Sequence, residues 1–433
     1  MIEKTTFFNK ASWQMLATST FMITSFVQSI MIARLIGLND FGVLATYISF
    51  SVILSQLFDP RLLDLLIKNL TTFNIAKDTC KIRKLIQISL FFSIGALLLI
   101  IILVLTTKTS IDPFIPDTYK DSTFSLILIL ISTISITHFY ITFQAYMRVK
   151  EMIKELSLIS IFLYTIRLFA VYFSVSFISA DILGVAIALS FVNSIVVFIS
   201  IIYLIRHLRE TKPVESEGDL RNKNWLKNIK IMSKKLYLTS LASIPQKELD
   251  ISILSFFVRP ESIGIYRMAK NFAVALWSLV DGIVLILFPD IAKLHEMNLF
   301  KKLKSVIRNV SYIGFLFSLA AILGVSILLP SILELILPQE YSESYYITLI
   351  MFTGSIIWLP LVWVYPLAIS KSATNSILFS TSLVALLTCI SYPVFAKTYG
   401  IYGAAIVYSL SPAILSIVLL LSLIRNHKLL KLI

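Results

Sequence analysis

Charge is what this sequence has least of. Of its 433 residues only 14% are charged while 57% are apolar, and a soluble chain carries nearer a quarter charged residues. That shortage excludes a set of water-exposed globular domains. Cysteine is equally scarce: Cys80 sits in a basic loop and Cys389 in an apolar run, so neither a disulfide framework nor a metal-binding spacing exists. The four histidines, His138, His207, His295 and His427, are scattered without ligand spacing. H-E-x-x-H, Walker A and G-x-S-x-G signatures are all missing, which removes the usual constellations of metalloproteases, nucleotide hydrolases and serine hydrolases. No cofactor is expected and the chain does not read as an enzyme. Without a nucleotide site, any transport work must draw on an ion gradient, the membrane potential or the gradient of the substrate. Long external loops are lacking too, so no extracellular domain is available for chemistry.

What the chain has in quantity is apolar runs of about 20 residues, long enough to cross a bilayer as helices. The fold class expected is an all-α polytopic membrane protein with twelve spans. They fall at 11–33, 43–66, 85–106, 123–147, 155–178, 182–204, 236–258, 264–288, 309–330, 345–370, 373–396 and 400–424. Lys4 and Lys10 precede the first run with no small-residue cleavage site, which reads as an uncleaved helix.

A net charge of +14 raises the question of nucleic acid, and the distribution of the charge answers it. About 28 of the 38 Lys and Arg residues cluster in alternate loops and at the termini, including nine between Arg206 and Lys235. About five lie in the opposite loops, Arg34, Lys108, Lys120, Arg259 and Lys397. Such asymmetry orients a membrane protein with its basic loops inside, so both termini are expected in the cytoplasm and nucleic acid is not a partner.

The hydrophilic stretch 206–235 divides the chain into an N-terminal six-helix bundle, 1–205, and a C-terminal one, 236–433. It reads as a basic cytoplasmic linker with an amphipathic helix around Trp225 to Met232. A shift of 222 positions superposes Phe41-Gly42-Val43 on Ile263-Gly264-Ile265, Asp59 on Asp281 and Gln28 on Asp250. With an even number of spans per half, this is the pattern of a parallel repeat enclosing a path between two bundles; chance alignment of two apolar segments is the alternative.

Charges inside the spans are costly and are functional-site candidates by default. Most of them fall in spans seven and eight: Lys247, Glu248, Asp250, Arg267, Lys270 and Asp281. Arg267, Lys270, Trp277 and Asp281 form one stripe at helical spacing. Asp250 and Lys270 lie at similar depths and can pair, Pro245 interrupts span seven beside them, and Arg267 sits near its span end. Structural ion pairing is the plain alternative for the whole set. Span five adds Arg167, with no acid in its own helix, between Tyr164 and Tyr172. Asp59 and Arg61 lie near the cytoplasmic end of span two. Span four carries a polar stripe, Ser132, Thr133, Thr137, Tyr140 and Gln144, beside His138, which reads as a packing histidine or a proton-sensitive one. Counting the deep charges, Arg167, Lys247, Arg267 and Lys270 exceed Glu248 and Asp250. A net cationic cavity follows, suited to phosphate oxygens.

The turn Ile32-Ala33-Arg34-Leu35-Ile36-Gly37-Leu38-Asn39-Asp40-Phe41-Gly42 resembles the arlLgpeefG turn of bacterial polysaccharide-repeat-unit flippases, and Ile263-Gly264-Ile265-Tyr266-Arg267-Met268-Ala269 resembles their vGiYsvA opening of span eight. These flippases belong to the multidrug, oligosaccharidyl-lipid and polysaccharide exporter superfamily. The resemblance implies two six-helix bundles in a V, related by a pseudo-twofold axis and opening alternately to each side of the bacterial inner membrane. It implies as substrate an undecaprenyl-diphosphate-linked oligosaccharide moved to the outer leaflet for O-antigen or capsule, with other polysaccharide-assembly membrane proteins as partners. By position Arg167, Lys247, Lys270 and Arg267 are then the substrate-binding candidates. Asp250, Glu248, Asp281 and Asp59 are the candidates for proton or sodium coupling or for ion pairing. A multidrug antiporter of the same superfamily is the second reading, and a polysaccharide polymerase or ligase the third.

Overall fold

The computed structural model describes residues 2–427 apart from 60, 108–122, 211–223, 247, 298 and 372. Among these residues the chain is helical and contains no strand. Eight helical stretches are long and apolar enough to cross a membrane, and the two longest, Ser12–Leu57 and Asn375–Arg425, have 46 and 51 residues. Each of the two contains a glycine whose backbone leaves the helical region, Gly37 at φ 80° and Gly400 at φ 58°. A side chain disfavours those angles, so glycine is what lets one long helix become two crossings. Helix α1 (Ile2–Leu57) thus supplies spans one and two.

The chain forms two compact units, one of residues Met1–Ile36 and Tyr47–Leu241, the other of Gly37–Thr46 and Ala242–Ile433. This division differs in two places from one drawn at the linker: the turn after span one belongs to the second unit, and residues 236–241 belong to the first.

In the first unit α1 breaks at Phe58 and the chain restarts as α2 (Leu62–Ile75), with Arg61 at φ 52° between them. Asp59 Oδ1 accepts the Leu62 N–H at 2.8 Å, satisfying an orphan donor of the new helix. Then follow α3 (Thr79–Thr107), α4 (Thr123–Ser135) continued through a π-turn at Ile136–Tyr140 into α5 (Ile141–Val149), α6 (Ile153–Phe177) and α7 (Ile182–Glu210). Leu66, Leu70, Ile86, Phe143 and Leu204 form the buried centre of this unit. The helix expected around Trp225 is α8 (Asn224–Ser243), longer than its amphipathic signal. It leans on α2, with the Trp225 ring edge-on to Phe73 at 5.6 Å and Met232 Sδ 3.9 Å from Asn69 Nδ2.

In the second unit span seven is not one helix. The end of α8 passes into a 3₁₀ turn at Ile244–Gln246 and then a short α9 (Leu249–Leu254); Pro245 lies in the 3₁₀ turn, where it removes an N–H donor and prevents helix continuation. Helices α10 (Pro260–Glu296) and α11 (Phe300–Ile336) each run as one long helix, α11 with Pro330 inside it. Span ten is segmented into α12 (Ser344–Thr353), α13 (Ser355–Trp358), a 3₁₀ turn at Leu359–Leu361 and α14 (Val364–Ser370). The carbonyl of Pro360 in that broken stretch accepts the Ser311 hydroxyl at 2.8 Å, and Trp363 Nε1 donates to the same hydroxyl at 3.0 Å. Interrupted helices are tolerated in lipid when side chains take up the freed groups in this way. Helix α15 (Thr374–His427) closes the chain. Outward-facing Phe91, Phe177 and Leu335 are each more than three-quarters exposed, as lipid-facing side chains should be.

The two motif glycines meet inside the second unit. A Cβ on Gly42 would overlap the carbonyl of Pro260, and one on Gly264 would lie 2.7 Å from the carbonyl of Leu38. Small residues here let two backbones approach more closely than side chains permit. Gly42→Ala is therefore expected to destabilise the protein by about 1–3 kcal/mol, the usual cost of overpacking, read as a lower melting midpoint in detergent. An unchanged midpoint would disprove the crossing.

Candidate functional site

Burying a charge in an apolar helix bundle requires a partner of opposite sign with good hydrogen-bond geometry. The second unit meets that requirement with two short contact chains between α9 and α10. Lys270 Nζ lies 3.0 Å from Asp250 Oδ1 and 3.6 Å from Glu248 Oε2. Arg267 Nη1 donates to the same Glu248 oxygen at 3.1 Å. The Tyr266 hydroxyl donates to Asp250 Oδ2 at 2.8 Å, and the Ile251 N–H donates to Oδ1 at 2.8 Å. Lys270 is 4% exposed, Asp250 1% and Tyr266 0%. The local reason is spacing: Tyr266, Arg267 and Lys270 fall within one turn and a half of α10, and Glu248 and Asp250 open α9 just after the break at Pro245.

Aromatic rings surround the tetrad. Lys270 Nζ stands 5.4 Å from the Tyr408 ring centroid, and Trp277 stacks on that ring at 5.5 Å with an interplanar angle of 3°. A cation over a tyrosine face gains further stabilisation once it is desolvated.

The expected pairing of Asp250 with Lys270 is thus present. Among the described residues here two cations meet two carboxylates, and Arg267, which the sequence places nearest a span end, is held by Glu248. Lys247 and the side chain of Asp281 lie outside the described residues. Asp59 is a helix-capping residue in the first unit.

Two cations with no ion pair among the described residues lie in the first unit. Arg167 on α6 and Arg148 at the end of α5 each have a buried Nε with no hydrogen-bond partner among the described residues. Arg148 lines a small cavity of about 130 Å³ with Gln14, Thr18, Gln144, Ser157 and Tyr164. Tyr164 lies within electrostatic reach of both guanidinium groups. On α6 the residues Ser157, Ser160, Tyr164 and Arg167 follow one another at three- and four-residue spacing, which puts them on one face. Arg148, Gln14, Ser157 and Ser160 are not among the residues expected from sequence. Arg148 ends a span next to Lys150 and so counts as an orienting charge. The stripe on α6 was the available signal. His138, in the π-turn, is 0% exposed, and neither ring nitrogen has a partner among the described residues; it is not the satisfied packing histidine that one reading of the sequence gives.

The sequence matches the family described as "Polysaccharide biosynthesis protein" over residues 7–295, more than half of the chain. The chain belongs to this family. None of the curated proteins matches it. Among solved structures, the family member is similar to an inward-facing multidrug resistance MATE family transporter of the MOP superfamily, with a TM-score of 0.73 and 13% identity, over 95% of this chain and 96% of that one. It is similar to the lipid II flippase MurJ in an inward closed conformation, with a TM-score of 0.71 and 16% identity, over 95% of this chain and 87% of that one. A MOP superfamily transporter from Pyrococcus furiosus, described as having a binding pocket of reversed polarity, follows with a TM-score of 0.60 and 12% identity, over 98% and 96%. At such identities the likeness shows the fold, which is that of MOP-superfamily transporters with about twelve membrane helices.

Proposed function

We propose that this member of the polysaccharide biosynthesis family is a flippase. It moves an undecaprenyl-diphosphate-linked oligosaccharide repeat unit from the cytoplasmic to the outer leaflet of the bacterial inner membrane, for O-antigen or capsular polysaccharide, by alternating access. Both termini lie in the cytoplasm. The observation that carries the reading is the pair of arginines Arg148 and Arg167, each with a buried Nε that has no hydrogen-bond partner among the described residues, and one of them in a polar cavity lined by hydroxyl and amide groups. A guanidinium suits phosphate oxygens because its planar fork bonds two at once, while amides and hydroxyls suit sugars. Family membership supports the same substrate class. Arg167 keeps its place among the substrate contacts. Lys270 and Arg267 move to a different role: with Glu248 and Asp250 they form the group at which a proton or sodium ion would act, since binding a cation to either carboxylate releases its basic partner. Lys247, close in sequence to both, stays a substrate contact, and Asp281 stays a coupling candidate.

Deleting the gene is expected to abolish the surface polysaccharide and to build up the lipid-linked intermediate in the cytoplasmic leaflet, with complementation restoring both. Leaflet-resolved assay of the intermediate reads this directly. Unchanged surface polysaccharide in the deletion strain would refute the assignment, and altered drug susceptibility in its place would favour a multidrug antiporter.

A further inference from the structure

The second unit contains a larger cavity, about 770 Å³, that shares no residue with the charged tetrad. It forms where α11 ends, at the turn leading into α12, and against the second arm of α15. Its chemistry runs against that of the whole chain. From Asn309 to Ser370 there is no Lys, Arg or His, and the charged residues are Glu334, Glu340 and Glu343, in a protein of net charge +14. Glu334 and Glu343 both line the cavity, along with Gln339, Tyr345, Tyr346 and Tyr402. Tyr402 donates its hydroxyl to Glu343 at 2.6 Å. Glu334 has no hydrogen-bond or ion-pair partner among the described residues. The rings of Tyr345 and Tyr346 meet edge to face at 5.0 Å, and Tyr346 is 59% exposed.

We infer that this cavity is a carbohydrate subsite, which takes the sugar end of a glycan on the side of the membrane opposite the basic loops. The inference rests on the flippase reading. A sugar ring offers a rim of hydroxyl donors and flat C–H faces. Carboxylates accept hydroxyls in short, charge-assisted bonds, the Gln339 amide both gives and accepts, and a tyrosine ring covers a C–H face while keeping its own hydroxyl available. The volume falls in the usual range for small-molecule sites and exceeds a single sugar ring. With no cation in its lining the cavity repels phosphate, so the diphosphate of a lipid-linked substrate stays out and only its sugars enter.

The test uses the full chain in lipid nanodiscs and saturation-transfer NMR with galactose, N-acetylglucosamine and chitobiose, alongside tetraphenylphosphonium as an organic cation. At least one sugar is expected to show transfer to its ring protons. Glu334→Gln should weaken its binding about tenfold, as loss of a hydrogen bond to a charged group does, and Tyr346→Ala should remove the transfer from the ring face. In cells the double variant is expected to lower surface polysaccharide at normal protein level. Silence from all three sugars, or tetraphenylphosphonium binding that is lost in Glu334→Gln, overturns the subsite. If the deletion strain keeps its polysaccharide while the sugars still bind here, the flippase reading fails and the subsite stands. Full export by the double variant, in a background where deletion abolishes it, sinks the subsite alone.

Discussion

Lys270→Met is expected to destabilise the protein by about 3–5 kcal/mol, because it strands Asp250, and in part Glu248, as uncompensated buried carboxylates. The loss should appear as a collapse of folded protein in size-exclusion profiles and a large drop in melting midpoint. The compensating change, Lys270→Met with Asp250→Leu, removes both ends of the 3.0 Å contact and should recover much of the lost stability, since replacing a whole buried pair by apolar groups is often neutral. Asp250→Leu alone should resemble Lys270→Met. If Lys270→Met instead leaves stability intact and only blocks transport, the lysine acts on the substrate and its pairing is incidental.

The arginines of the first unit should behave in the opposite way. Each has a buried Nε with no hydrogen-bond partner among the described residues, so removing the side chain is expected to cost little stability and to relieve an unsatisfied donor. Arg148→Ala and Arg167→Ala are each expected to lower export at least about tenfold, the worth of a hydrogen bond to a charged group, with protein level and melting midpoint unchanged. Arg148→Lys and Arg167→Lys should restore only part of the activity, because an ammonium does not reproduce the planar fork. The measurement is surface polysaccharide per unit of membrane protein in a complemented deletion strain. Loss of protein along with export would show that the guanidinium groups hold the bundle together.

The contrast between the two clusters shows where reading the sequence succeeds and where it stops. Helix count and position were legible, because a run of about 20 apolar residues has no other way to satisfy its backbone in lipid. The position of the break in span seven was legible from Pro245. So was the chance that Asp250 meets Lys270, since both sit at similar depths. What spacing within a helix does not contain is the approach between helices. Whether Lys270 points at a carboxylate or at open space depends on how α9 and α10 pack, and the count of deep charges assumed that all faced one cavity. The same limit hid Arg148. At the end of a span an arginine reads as an orientation signal, and only the fold turns its side chain into a polar cavity. The break at Asp59 carried a signal of the same kind as Pro245, because Pro60 follows it directly and a proline disfavours helix in the residue before it; the left-handed residue at the break is Arg61, a type that seldom announces such a turn.

Gly42 and Gly264, described above as the point where two backbones cross, also govern how the protein can be made. Residues 37–46 leave the ribosome with the first spans but pack with residues 242–433, about two hundred positions later. During synthesis this stretch must wait, with its glycine face bare, until α10 is in the membrane. Two genes, one for each half cut at the linker, would give a first fragment carrying an orphaned turn and a second lacking its packing partner. Co-expressing the halves would rescue assembly only if the early turn finds the late helix in trans, so the chain is better kept as one polypeptide.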